Sequence, residues 1–206
     1  MTTLYLGPWR IDVEWRDGVP RLLSAAALAR AAVAALDAAG APGPASLALV
    51  LSDDTELAEL NATHMGKHGP TDVLSFPLLP PESYPPHPGK ALAADSVGDA
   101  GAAAAFRLPP GARRHLGDVI VSVERAIDQA RAGRGGQTGD VRWDARDELR
   151  LLVTHGTLHV CGWDHAEREE ETAMRALERS LLDRSRTLPG SGRGAPPRDG
   201  SRLVKA

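Results

Sequence analysis

Trp9-Arg-Ile-Asp-Val-Glu-Trp15 alternates apolar and polar residues without a break, the period of a strand with one face buried. Asp17-Gly18 then marks a turn. From about Arg21 to Ala39 the period lengthens. An alanine-rich run with Leu22, Leu28, Val33 and Leu36 predicts a helix, closed by Gly40 and Pro42. Ser46 to Leu51 is short and nearly all apolar, which predicts a buried strand. Asp53 with Glu56 forms a capping box for a short helix reaching about Thr63. Val73 to Leu79 reads as the third strand, and Pro77 puts it at a sheet edge. Leu116 to Val121 reads as the fourth, with Ser122 capping a helix to about Ala132. Asp144 opens a further helix whose core side carries Leu149, Leu152 and Val153. Asp164 with Glu167 forms a second capping box for a last helix to about Leu182. The acidic residues at 167 and 169–171 suit its N-terminus.

Three stretches lose this periodicity. Residues 80–114 begin Pro80-Pro-Glu-Ser-Tyr-Pro-Pro-His-Pro-Gly and continue through an alanine/glycine run, too little apolar surface to offset the entropy of ordering. They read as a mostly disordered insertion loop ending in a small basic cluster, Arg113-Arg114-His115. Gly133 to Gly139 reads as a flexible break, and from Arg184 onward Pro, Gly, Ser and Arg dominate. The expected organisation is one domain over residues 1–183, with a loop at about 80–114, followed by a disordered tail at 184–206.

A chain of 206 residues is long enough to bury a substantial core. Its net charge of −3 and pI near 6.2 exclude a global basic field, so nucleic acid would have to be approached through a local patch or a partner. A single cysteine, Cys161, excludes an intramolecular disulfide framework and fits a reducing compartment. No stretch of about 18 apolar residues is present. The first residues show no charged region followed by an apolar core, so no secretory leader is expected and a cytoplasmic location is.

The chemistry concentrates in His155-Gly-Thr-Leu-His159-Val-Cys-Gly162-Trp-Asp-His165. On a helix, positions i and i+4 lie about 40° apart, one turn above the other. His155 and His159 can therefore bind one metal ion from one face. Gly162 suits the left-handed position that ends a helix, after which the chain can fold back to deliver His165. Three imidazoles with a fourth position open is the pattern of a catalytic zinc site, and one cysteine cannot build a closed thiolate site. The spacing is also that of the metzincin motif H-E-x-x-H-x-x-G-x-x-H. Here the general-base glutamate is replaced by Gly156, so a peptidase would lack its base. Gly66-Lys67 lacks both the glycine-rich lead-in and the following Ser/Thr of a phosphate loop.

The histidine segment resembles the signature of the YbeY family, bacterial rRNA maturation factors regarded as zinc-dependent endoribonucleases. Leu60-Asn61 with Pro70-Thr-Asp-Val-Leu-Ser-Phe-Pro77, and Leu116-Gly-Asp-Val-Ile120, resemble two further blocks of that family in the same order. The resemblance implies an α+β fold: a small, mostly antiparallel four-stranded sheet packed with about five helices. It implies one Zn²⁺ per chain on His155, His159 and His165. The activity implied is single-strand-specific endonucleolytic cleavage in rRNA processing, maturing the 3′ end of small-subunit (16S) rRNA and serving ribosome quality control. Implied partners are rRNA and the small ribosomal subunit, with ribosomal proteins and an assembly GTPase, and neither membrane nor DNA. The family usually carries an arginine between its Asn and Pro-Thr blocks, and the aligned position here is Met65, which can neither bind phosphate nor stabilise charge. Lys67 and His68 are the nearby candidates to bind substrate in its place. No side-chain base is identified: Asp72 and Asp118 lie in the family blocks, yet either can equally cap a turn or strand. Two other readings stay open, a zinc-containing ribosome-assembly factor without turnover and a metzincin-like metallopeptidase.

Overall fold

The computed structural model describes residues 1–87, 112–133 and 143–187. Five strands form one sheet: β1 (Thr2–Leu6), β2 (Trp9–Trp15), β3 (Ala45–Ser52), β4 (Val73–Pro77) and β5 (Arg114–Ser122), in the order β1-β2-β3-β5-β4. Pairs β1–β2 and β4–β5 are antiparallel, while β2–β3 and β3–β5 are parallel. The sheet is thus mixed and five-stranded, which corrects the expectation of four mostly antiparallel strands. The reason lies in the connection from β2 to β3. Helix α1 (Ala25–Ala38) spans it as a crossover, and a strand–helix–strand unit of this kind brings its two strands together in parallel. The additional strand is β1, an edge hairpin partner of β2 whose Thr2, Thr3 and Tyr5 are exposed.

Four more helices complete the α+β fold: α2 (Asp54–Leu60), α3 (Val123–Arg131), α4 (Ala145–Val160) and α5 (Arg168–Thr187). The expected caps at their starts are largely present. Asp53 accepts from the Glu56 N–H, and Ser122 accepts from the Arg125 N–H. A single π-helical turn, Asn61–Met65, prolongs α2. β4 occupies the sheet edge that Pro77 indicated. The expected loop at 80–114 has ordered ends. Pro81–Ser83 form a 3₁₀ turn, Tyr84 is buried, and Arg114 already belongs to β5. Residues 88–111, 134–142 and 188–206 lie outside the described residues, and with them most of the predicted loop, break and tail. α5 itself runs past Arg184, where the tail was expected to begin.

The core lies between one face of the sheet and helices α1 and α4. Ile11 and Val13 from β2, Leu47, Leu49 and Leu51 from β3, and Leu116, Val119 and Val121 from β5 are fully buried. Strict alternation would send Leu116 and Val119 to opposite faces. A register shift between Ser46 and Ala48 against β5 absorbs the extra residue at Gly117. Gly117 has φ +151°, and a Cβ there would sit 2.3 Å from the Phe76 carbonyl oxygen. Only glycine fits, and the bulge resets the phase so that Asp118 faces away from α4 while Val119 faces it.

Gly117→Ala is expected to destabilise the protein by more than about 2 kcal/mol, because backbone strain and a backbone collision add. Urea unfolding checks this, and a midpoint equal to wild type would remove the role assigned to the bulge.

Candidate metal centre

Helix α4 positions the site. Asp144 caps it, accepting from the N–H groups of Arg146 (2.8 Å) and Asp147 (3.0 Å). Leu149, Leu152 and Val153 are buried, which fixes the rotation of the helix about its axis. Gly156 lies against the sheet, where a Cβ would meet Val119 Cγ1 at 2.6 Å, Val73 Cγ2 at 2.8 Å and Ser75 Oγ at 3.2 Å. Ser75 Oγ donates to the Gly156 carbonyl at 2.9 Å. The place a metzincin gives its glutamate is therefore filled by β4 and β5 side chains, and no carboxylate fits there.

With one side of α4 pressed on the sheet, His155 and His159 emerge from another. Their Nε2 atoms are 3.0 Å apart. The helix ends at Cys161, and Gly162 (φ +81°) turns the chain back. Trp163 N–H bonds to the Leu158 carbonyl at 3.1 Å, and Asp164 accepts from the His165 N–H at 2.7 Å. Asp164 thus tightens the ligand turn. It does not cap α5, which begins four residues later at Arg168, so the second capping box does not form. The stub of the 80–114 segment braces this turn: His87 stacks on Trp163 with centroids 4.1 Å apart, and its Nε2 lies 3.3 Å from the Gly162 oxygen. His165 closes the cluster, its ring centroid 5.4 Å from that of His155 and 5.0 Å from that of His159.

One nitrogen from each histidine lies within 4.8 Å of the others, a set able to hold one metal ion. Zn–N bonds of about 2.0–2.1 Å in a tetrahedron place ligand nitrogens about 3.3 Å apart, close to the His155–His159 separation. His155 Nδ1 bonds to Glu178 Oε1 at 2.7 Å. That carboxylate holds the proton on Nδ1 and leaves the Nε2 lone pair facing His159. The His159 imidazole is pushed down to about 4, first by burial and then by the neighbouring His155 and His165 rings, so it stays neutral and ready to ligate near pH 7.

Beside the histidines opens a cavity of about 350 Å³ whose lining includes His155, His165, Asp72, Glu148, Arg175 and Glu178. Asp72 serves both roles. It supports the start of β4, accepting from the Val73 N–H (3.0 Å) and from Gln129 Nε2 (2.9 Å), and it also lines the cavity. Asp118 does not reach it. Asp118 lies on the other face of the sheet and bonds to His115 Nε2 at 2.9 Å. Lys67 and His68 are exposed in the connection before β4 and are not among the lining residues, and Met65 is 45% exposed. Sequence reasoning missed Glu178 and Glu148. The signal for Glu178 is an acidic residue on the stripe Met174, Leu177, Leu181, a position otherwise filled by apolar side chains. Glu148 is 2% exposed and accepts from Trp143 Nε1.

The family model described as Endoribonuclease YbeY matches residues 15–186. The chain belongs to the YbeY family. An endoribonuclease YbeY from Thermobifida fusca is 38% identical over 173 residues, covering 84% of this chain and 91% of its own. One from Salinispora tropica is 42% identical over 149 residues, covering 72% and 79% respectively. A solution structure from Thermotoga maritima is a distant likeness, with 18% identity and a TM-score of 0.46 over 89% of this chain and 99% of its own. YbeY membership agrees with the three sequence blocks. All three meet around α4: His155, Gly156 and His159 lie on it, Val73, Ser75 and Asp72 belong to the Pro-Thr-Asp segment, and Val119 belongs to the Leu-Gly-Asp segment.

Glu178→Ala is expected to weaken zinc affinity roughly 10- to 100-fold, as losses of ligand-orienting carboxylates do. A chelator-competition titration measures this, and unchanged affinity would show that Glu178 does not orient His155. The depressed His159 pKa makes a second prediction, for the metal-free protein. Between about pH 4 and 6.5 the unfolded chain binds a proton that the folded chain refuses, so stability rises with pH across that window and is lost as pH falls. Urea midpoints measured from pH 4 to 7 should show a shallower slope for His159→Gln than for wild type.

Proposed function

We propose that this chain is a zinc-dependent, single-strand-specific endoribonuclease of rRNA processing, acting on the 3′ end of small-subunit (16S) rRNA and in ribosome quality control. The observation that carries the reading is the three-histidine cluster, open on one side to a cavity, in a YbeY-family chain. His155, His159 and His165 would hold one Zn²⁺, and their three neutral nitrogens leave a coordination position open. When bound, zinc supplies Lewis acidity, polarising a phosphodiester oxygen and easing the deprotonation of water.

The remaining tasks fall to the chain. Glu178 fixes the tautomer and ring plane of His155. The Gly162 turn, held by Asp164 and His87, presents His165. Asp72 and Glu148 are two of the cavity carboxylates that could handle protons, and Asp72 is held in place by Gln129 from α3. Single-stranded loops and ends are the RNA elements that suit such a site, because their bases and backbone can be splayed out. The partners that fit are rRNA and the small ribosomal subunit, with ribosomal proteins and an assembly GTPase as further members. The setting that fits is the cytoplasm, and no described helix is long and apolar enough to cross a membrane.

A non-catalytic assembly factor is the second reading, favoured by Met65 at the position of the family arginine. Gly156, enclosed by Val73, Val119 and Ser75, weighs against a peptidase.

The deciding experiment is cleavage of a precursor 16S rRNA 3′ end by zinc-loaded protein, with His159→Ala alongside. Zinc-dependent cutting, reduced at least 100-fold by the substitution, is expected. Intact RNA after incubation with protein carrying one zinc per chain, together with retained binding to the small subunit, would transfer the assignment to the assembly factor.

A further inference from the structure

The cavity beside the histidines is strongly acidic. Asp72, Glu148, Glu171 and Glu178 line it, and Arg175 is the only lysine or arginine among its lining residues. A phosphodiester that reaches the histidines through this cavity lies beside these carboxylates, and repulsion between like charges opposes its approach. A guanidinium relieves that repulsion. Met65 supplies no charge, and Lys67 and His68 do not line the cavity.

We infer that Arg175 is the substrate-phosphate ligand of this site. The inference rests on the endoribonuclease reading above and assigns to α5 the cation that the chain lacks at position 65. Its geometry favours the role. Glu171, Met174, Arg175 and Glu178 form one stripe of α5 at spacings of three and four residues, the stripe that faces the cavity. Glu178 on this stripe bonds to His155, so Arg175 stands one turn from the carboxylate that orients a metal-ligand histidine. The Arg175 side chain is 55% exposed, within reach of a ligand in the opening.

At present Arg175 pairs with Glu171, with Nη2 2.6 Å from Oε1. An exposed i,i+4 pair of this kind contributes little to stability, since solvent screens it. A bidentate guanidinium–phosphate contact is stronger than such a pair, so phosphate can take the guanidinium from Glu171 at little cost. Glu171 holds the fork in the cavity until substrate arrives.

The test uses full-length, zinc-loaded protein and a single-stranded RNA from the precursor 16S 3′ end, reading both equilibrium binding and steady-state cleavage. Arg175→Ala is expected to lower kcat/KM roughly 10- to 100-fold and to reduce the slope of log K against log salt by about 0.7, one phosphate contact to a single strand. Zinc stoichiometry and the visible spectrum of the cobalt-substituted protein are expected to stay as in wild type, which separates phosphate binding from damage to the metal site. Arg175→Lys should recover part of the loss. Glu171→Gln, which removes the competing carboxylate, should lower KM. An Arg175→Ala protein with wild-type kinetics and salt slope would overturn the inference while leaving the nuclease reading intact. The same would follow if Lys67→Ala, run beside it, alone produced the loss. Wild-type protein that neither binds nor cuts the RNA would overturn both.

Discussion

The close approach of α4 to the sheet at Gly156 is the contact on which the rest of the site depends. A helix–sheet packing this tight needs a residue without a side chain, and Val73, Ser75 and Val119 occupy the space a Cβ would take. Once that face is committed to the core, the rotation of α4 is no longer free. Two histidines four residues apart must then emerge together on the side where α5 and the Gly162 turn can meet them. The glycine that removes the protease base is thus the residue that brings the histidine helix down onto the sheet. The same substitution that excludes one chemistry builds the scaffold for another.

Much of this was legible in the sequence. The histidine spacing, the terminating glycine and the caps at Asp53, Ser122 and Asp144 are local signals, each resolved within a few residues, and the structure forms them. The topology was not legible in the same way. Period-two alternation identifies strands but carries no information on which strand lies beside which. The β2–α1–β3 order was nevertheless a sign of parallel pairing, since a helix between two strands has the length of a crossover. β1 is five residues long and does not alternate strictly, so its period carries no strand signal.

The site was half legible for a related reason. Ligands that share a helix announce themselves by spacing, whereas residues brought in from another element do not. Glu178 reaches His155 from α5, while Arg175 and Asp72 line the adjoining cavity from α5 and from the residue before β4. Asp72 and Asp118 look alike in sequence, each beside an apolar strand. The bulge at Gly117 and the pairing of β4 with β5 decide that one lines the cavity and the other bonds to His115 of its own strand on the opposite face of the sheet. Asp164 shows the reverse case. Its helix-capping pattern is present, yet the turn that presents His165 claims its carboxylate first.

The bond between His155 on α4 and Glu178 on α5 makes the two helices share one equilibrium. Whatever holds Glu178 in place would raise the affinity of the histidines for metal, and by reciprocity a metal ion on the histidines would raise the docking constant of α5 by the same factor. Leu181 and Leu182, buried at the far end of that helix, belong to the same linked unit. A metal ion on the histidines would therefore be felt as a more firmly docked last helix, and its removal as more frequent opening of the carboxyl-terminal part of the fold.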